Sequence, residues 1–399
     1  MKKLVILLVV IVLAFAGFLT WLSYQPDSHM ALTNEEAPAY SGEMSEEAAQ
    51  AEVRSLDYEA IAALHAEDEV VMKVYGEDVL WKDYYAWLYM NGQQVEAFFN
   101  QMAMYYGLAA DWEGSVGDGS GMIYAQLPTA AAEETLLRIT AIEKMAADKG
   151  VELSEESIAE LEDQALADAA LGEGASMEEF LSALDEMHMS LDTYKRISRA
   201  NFLYGDILAA EFGKDGEKVT DEEAGAWLEE QAYLAANHIL LMTNDKATGT
   251  EVDEATAAEK RAKADEIYAE LAAIEDVEER LARFKELKEE FDEDTGKVNY
   301  PDGYTFTPGT MVSEFEDAVT SMEAYELSEP VKSSFGWHVI IRMPLGADNM
   351  LNDGNGSLVP AAWIYAQQKL GEELEQYMDT SVVEYAEGFE TPDLISFIK

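Results

Sequence analysis

Asn237-His238-Ile239-Leu240-Leu241-Met242 and Gly336-Trp337-His338-Val339-Ile340-Ile341-Arg342-Met343 are two compact apolar runs, each short enough for a strand; Pro344 stops the second. Two charged amphipathic helices follow the first run, from about Asp253 to Ile274 and from Glu278 to Phe291. Ala264, Ile267, Tyr268 and Leu271 share one face of the earlier helix. Ser313-Glu314-Phe315-Glu316 has the spacing that caps a third, short helix. The order strand, helices, short helix, strand predicts a small α+β domain over residues 231–346.

Upstream, Val70 to Gly76 reads as a strand ending at a glycine turn, and residues 70–230 are otherwise helical in texture. Ser176-Met177-Glu178-Glu179 and Thr220-Asp221-Glu222-Glu223 fit the capping box, in which a hydroxyl and a later carboxylate satisfy orphan amides. Leu191, Tyr194, Ile197, Leu203 and Ile207 follow helical spacing. The acidic glycine-rich stretch Asp111 to Gly121 lacks the ligand pattern of a calcium loop and reads as a solvated loop. Downstream, residues 347–359 read as loop. A helix after Pro360 carries a stripe of Trp363, Ala366, Leu370, Leu374 and Tyr377. That stripe has no partner nearby in sequence, so it is expected to pack on helices within residues 80–230.

Lys2 and Lys3 precede an uncharged apolar run from Leu4 to Leu22, nineteen residues long. At 1.5 Å per residue it spans about 28 Å, close to the hydrocarbon core of a bilayer. Pro26 to Glu69 carry one arginine against twelve acids, so charge bias leaves the N-terminus in the cytoplasm and exports the rest. Ala14-Phe15-Ala16 would suit a cleaved signal peptide, but Phe18, Leu19, Trp21 and Leu22 continue the apolar run beyond it. The reading is an anchor over residues 1–25 and an acidic tether over 26–69, with one solvated helix from Ser45 to His65.

The 399 residues hold 26 Lys and Arg against 80 Asp and Glu, a net charge of −54. Such a surface repels a phosphate backbone, which excludes nucleic acid as a partner. With no cysteine there are no disulfides, thiolate metal sites or cysteine nucleophiles. His29, His65, His188, His238 and His338 are scattered too widely to suggest a metal cage, and no cofactor or metal is expected.

The stretch from Asn237 to Arg342 resembles a parvulin-type peptidyl-prolyl isomerase. The likeness lies in Asn237-His238-Ile239-Leu240, in Met311 to Ala318, in Leu327-Ser328-Glu329-Pro330-Val331, and in Phe335-Gly336-Trp337-His338-Val339-Ile340. The flanks resemble PrsA-type foldases and SurA-type chaperones, in which a helical domain is completed by a C-terminal helix and the parvulin domain is inserted between. The resemblance implies an α+β protein: a mostly helical SurA-like domain (70–230 with 347–399), an inserted parvulin domain with a small antiparallel sheet, and the anchor. It places the family's core histidines on His238 and His338, its acidic position on Asp294, and its proline-pocket residues on Met311, Phe315 and Phe306. At Tyr300-Pro301-Asp302-Gly303-Tyr304 the chain departs from the family, Gly303 standing where a pocket leucine is usual.

Rotation about the imide bond before proline faces a barrier of about 18–20 kcal/mol and breaks no covalent framework. A catalyst needs a dry wall to grip the ring and polar groups that favour the twisted bond over both planar forms. Met311, Phe315 and Phe306 would supply the wall. His238, Asp294 and His338 would form a hydrogen-bonded set with tautomers fixed by the carboxylate. Without the resemblance, the residues read as structure: histidines satisfied in a core, and Met311 with Phe315 on an ordinary buried helix face. Two functions follow. One is an exported, membrane-anchored folding catalyst acting on unfolded polypeptides; the other is a holdase with a degenerate parvulin domain. The altered Tyr300 to Tyr304 stretch favours the second, and intact His238, Asp294 and His338 favour the first.

Overall fold

The computed structural model describes residues 54–161, 177–244 and 250–399. The expected anchor, most of the tether and Ser176 of the first capping box lie outside the described residues. Among the described residues no helix is long and apolar enough to cross a membrane.

In chain order the elements are α1 (Tyr58–Ala62), β1 (Val70–Val74), β2 (Glu77–Leu80), α2 (Trp81–Tyr106), α3 (Leu127–Lys149), α4 (Met177–Glu186), α5 (Leu191–Phe212) and α6 (Asp221–Glu230). They continue with β3 (Leu234–Met242), α7 (Glu254–Ala272), α8 (Val277–Phe291), β4 (Tyr304–Phe306), α9 (Ser313–Thr320), β5 (Val331–Lys332) and β6 (Gly336–Met343). The last are β7 (Met350–Asn352), β8 (Leu358–Pro360), α10 (Ala361–Asp379) and β9 (Val383–Tyr385). The fold is α+β, with small antiparallel sheets among helices. It forms two compact units, one ending at Ile207 and resuming at Glu373–Lys399, the other Leu208–Glu372.

In the first unit β1 is the middle strand of a sheet ordered β2-β1-β9. Tyr75 and Gly76 turn β1 into β2 with φ of 53° and 83°, the left-handed pair whose twist matches flanking strands. On α2, Trp81, Tyr84 and Leu88 are spaced three and four apart and fully buried, as one helix face should be. Part of the stretch read as tether belongs to this unit. Leu56 and Ile61 are buried, Trp81 Nε1 donates to Ala62 O (2.9 Å), and Tyr85 Oη donates to Tyr58 O (2.8 Å). Glu133 on α3 accepts from the hydroxyls of Tyr84 (3.0 Å), Tyr385 (2.9 Å) and Thr391 (3.1 Å), tying the returning chain to the unit.

In the second unit the sheet order is β4-β3-β6-β5, antiparallel throughout. Alternation along β3 and β6 sends Ile239, Leu241, Val339 and Ile341 to a core with Ile267, Leu271, Phe284 and Leu287 of α7 and α8. The opposite face carries Ala236 and Ile340, packed with Phe306, Phe315 and Val319. His238 shares the parity of Ala236, and His338 that of Ile340. The two histidines therefore stand on one face, on adjacent strands, with His238 opposite Ile340 and Leu240 opposite His338.

Three local expectations change. Residues 347–359 contain the hairpin β7–β8, because Leu351 is buried with Trp227, Leu228 and Ala361 in a small core of its own. That core extends the unit on both sides of the expected 231–346. Second, Ser313 is the first residue of α9, behind Val312, and makes no cap; Glu316 takes the Gly309 N–H instead (2.8 Å). Third, Trp363 is only partly buried in α10, whereas Ala366, Leu370 and Leu374 are fully buried. The unit boundary falls inside α10. Trp227 Nε1 donates to Gln368 in the second unit (3.1 Å), while Glu373 pairs with Lys149 in the first (2.8 Å). The Thr220–Glu223 capping box forms as the spacing predicts.

Candidate active site

Among the described residues, β3 has no partner strand on its β4 side beyond Ala236, so its later amides need other acceptors. The acidic run Asp292-Glu293-Asp294 supplies them. Asp292 Oδ1 accepts from Leu240 N–H (2.8 Å), Glu293 N–H donates to Leu240 O (2.9 Å), and Glu293 Oε2 accepts from Met242 N–H (2.7 Å). Lys288 of α8, nearly buried, donates to Asn237 Oδ1 (2.6 Å) and Pro301 O (2.8 Å), and burial pulls its pKa down. These bonds pin the connection between α8 and β4 along β3 and deliver Asp294 to His238.

His238 Nε2 lies 3.4 Å from Asp294 Oδ2, a polar contact longer than a full hydrogen bond. The same oxygen accepts from Tyr304 Oη (2.6 Å), and Asp294 Oδ1 accepts from Gly296 N–H (3.0 Å). His238 foremost, then Tyr304 and the Gly296 amide, hold the Asp294 carboxyl well below the usual carboxylate range, against the opposing effect of partial burial. Burial, then the carboxylate beside it, pushes the Tyr304 hydroxyl up, so it remains a donor. His238 and His338 meet edge to face, ring centroids 5.1 Å apart at 87°. Phe315 packs edge-on against both, at 5.3 Å and 5.6 Å. His338 Nε2 lies 2.6 Å from Ser333 Oγ, which accepts from Phe335 N–H (3.1 Å). Burial, aided by His238 and Lys332 and opposed by Asp294, pushes His338 down to about 3, so it is neutral at neutral pH.

All six residues expected at the site converge on this face, with one difference in wiring. The carboxylate reaches His238 only; the side-chain partner of His338 is Ser333. Phe306 and Phe315 are 2% and 3% exposed and form the base, leaving Met311 partly exposed beside them. Gly303, which reads in sequence as a lost pocket leucine, has φ +105° and passes so close to β3 that a Cβ would lie 2.4 Å from Ala236 O. The ring of the next residue, Tyr304, stacks on His238 (5.7 Å, 19°). Sequence reasoning missed Tyr304 and Ser333 as site residues: Tyr304 stands in the stretch that departs from the family, and Ser333 lies between the matching runs that end at Val331 and resume at Phe335. An ionised carboxylate, a neutral imidazole and an apolar base together can grip a proline ring and stabilise a peptide bond losing resonance.

Comparison with protein families matches residues 238–343 to Rotamase, the PPIC-type PPIASE domain. Residues 238–343 are thus a PPIC-type, or parvulin, peptidyl-prolyl isomerase domain. Among curated proteins, "Foldase protein PrsA" of Caldanaerobacter subterraneus is 36% identical over 144 residues, covering 35% of this chain and 39% of that one. "Chaperone SurA" of Nitrosococcus oceani is 39% identical over 83 residues, covering 20% of this chain and 19% of that one. The chain spans well under half the length of these relatives. Among solved structures, PrsA from Bacillus cereus, described as a peptidylprolyl isomerase, is 23% identical, covers 67% of this chain and 90% of its own, and has a TM-score of 0.24.

Proposed function

We propose that this chain is an extracytoplasmic foldase: a prolyl isomerase of exported, unfolded polypeptides whose helical unit also holds clients. The observation that carries the reading is the single face of the sheet on which His238 and His338 pack against Phe315, Asp294 reaches His238, and Met311 packs against the same apolar cluster. Relatives named foldase and chaperone support it. His238 and Asp294 would orient the peptide, neutral His338 would line the dry side, and Met311 with Phe315 and Phe306 would seat the ring. Uncatalysed proline isomerisation takes tens of seconds, long enough to limit folding after export. The apolar run Leu4 to Leu22 would anchor the chain in the membrane, with residues beyond the tether outside the cytoplasm.

The test is cis–trans exchange of a short Xaa-Pro peptide, followed by NMR with and without the full chain. Acceleration that disappears in Asp294→Asn, with the circular-dichroism spectrum unchanged, supports the reading. No acceleration by the wild type would leave a binding protein without turnover. Retention in membranes after a high-salt wash tests the anchor, and a soluble mature chain starting near Phe18 would overturn it.

A further inference from the structure

Tyr304 makes two contacts at the site that no reading of its sequence neighbours anticipates. Its ring lies nearly parallel to His238, and its hydroxyl donates to the Asp294 oxygen that faces His238 Nε2. One side chain thereby fixes both partners of the pair. The hydroxyl reaches that oxygen only because residue 296 has no side chain. A Cβ on Gly296 would stand 1.9 Å from Tyr304 Oη, and the Gly296 N–H itself donates to the other Asp294 oxygen. Gly296 lies outside the left-handed region, so its backbone conformation does not demand glycine. The space for the hydroxyl does.

We infer that Tyr304 is a positioning residue: its hydroxyl, seated in the space left by Gly296, holds the Asp294 carboxylate in register with His238. The inference rests on the isomerase reading above for its bearing on turnover, though not for its bearing on Asp294. The groups around the carboxylate are His238 from β3, His338 from β6 and Lys288 from α8, with Lys332 of β5 acting on His338. Asp292, Lys297, Tyr300 and Asp302 lie along the connection that carries Asp294 and Tyr304. Among the described residues, the Tyr304 hydroxyl and the Gly296 amide donate the two hydrogen bonds its oxygens accept, so removing the hydroxyl withdraws one of two neutral donors that stabilise the charge.

Tyr304→Phe removes the donor and keeps the ring; Gly296→Ala keeps the hydroxyl and its own amide but displaces the hydroxyl. Carboxyl 13C NMR of the full chain, titrated downward from pH 7, reads Asp294 directly. Both variants should move its midpoint up by about one pH unit, the worth of a hydrogen bond to a charged group. The acid limb of kcat/KM should move up with it, and Tyr304→Phe should add nothing in an Asp294→Asn background. A Tyr304→Phe chain whose Asp294 titrates as in the wild type would overturn the inference. A wild type without isomerase activity whose Asp294 midpoint still moves in Tyr304→Phe would defeat the enzyme reading and leave the positioning role standing.

Discussion

Ser333 and His338 show how one hydroxyl supports a buried imidazole. Ser333 Oγ is the hydrogen-bond partner of His338 Nε2, and His338 Nδ1 is buried without a partner among the described residues. Ser333→Ala should therefore destabilise the chain by about 1–3 kcal/mol in urea unfolding, the cost of a second unsatisfied buried nitrogen. The pH dependence has a definite sign. The folded value of His338, about 3, lies below that of an exposed imidazole, roughly 6.5, so the unfolded chain takes up the proton first as pH falls. Stability from keeping His338 neutral is whole above about pH 6.5 and is lost as pH falls from there towards about 3. Any advantage of the wild type over His338→Gln in urea midpoint should shrink between pH 7 and pH 4. A difference that stays constant would show that His338 does not titrate in this way.

At the level of elements, the close crossing of Gly303 over β3 is what allows β4 to start at Tyr304. Gly303→Ala meets both the Ala236 carbonyl and an unfavourable positive φ, so it should lower stability by about 1–3 kcal/mol and raise hydrogen exchange at residues 234–236. Exchange equal to the wild type would mean that the crossing gives way at little cost. The two long strands of this sheet were legible in sequence because each is an unbroken apolar run, and α7 because Ala264, Ile267 and Leu271 repeat at helical spacing. β2 and the β7–β8 hairpin were not, since each buries a single residue, Val79 or Leu351, and leaves no period to read. At the site, the histidines, Asp294 and the aromatic base were legible through family likeness. The Tyr304 hydroxyl and Ser333 were not: a hydroxyl's role is set by whatever acceptor the fold brings within 3 Å, and chain order does not record that.

Across the whole molecule, a net charge of −54 sets a repulsion that no local contact describes. Several of the described ion pairs are exposed, as with Arg261–Asp265 and Lys263–Glu266, and contribute little singly. Salt should therefore stabilise this chain: raising NaCl from low ionic strength to 0.5 M, where screening falls to a few ångströms, should lift the melting temperature by several degrees. A fall in melting temperature would mean that the ion pairs outweigh the repulsion. The antiparallel pairing of β1 with β9 has a consequence in time. A ribosome delivers β1 well before residues 383–385, and the continuous span Leu208–Glu372 is delivered entirely in between. During that interval one edge of β1 waits unpaired, the kind of edge on which nascent chains stick to one another. That edge of β1 stays open to other chains until residues 383–385 have been made.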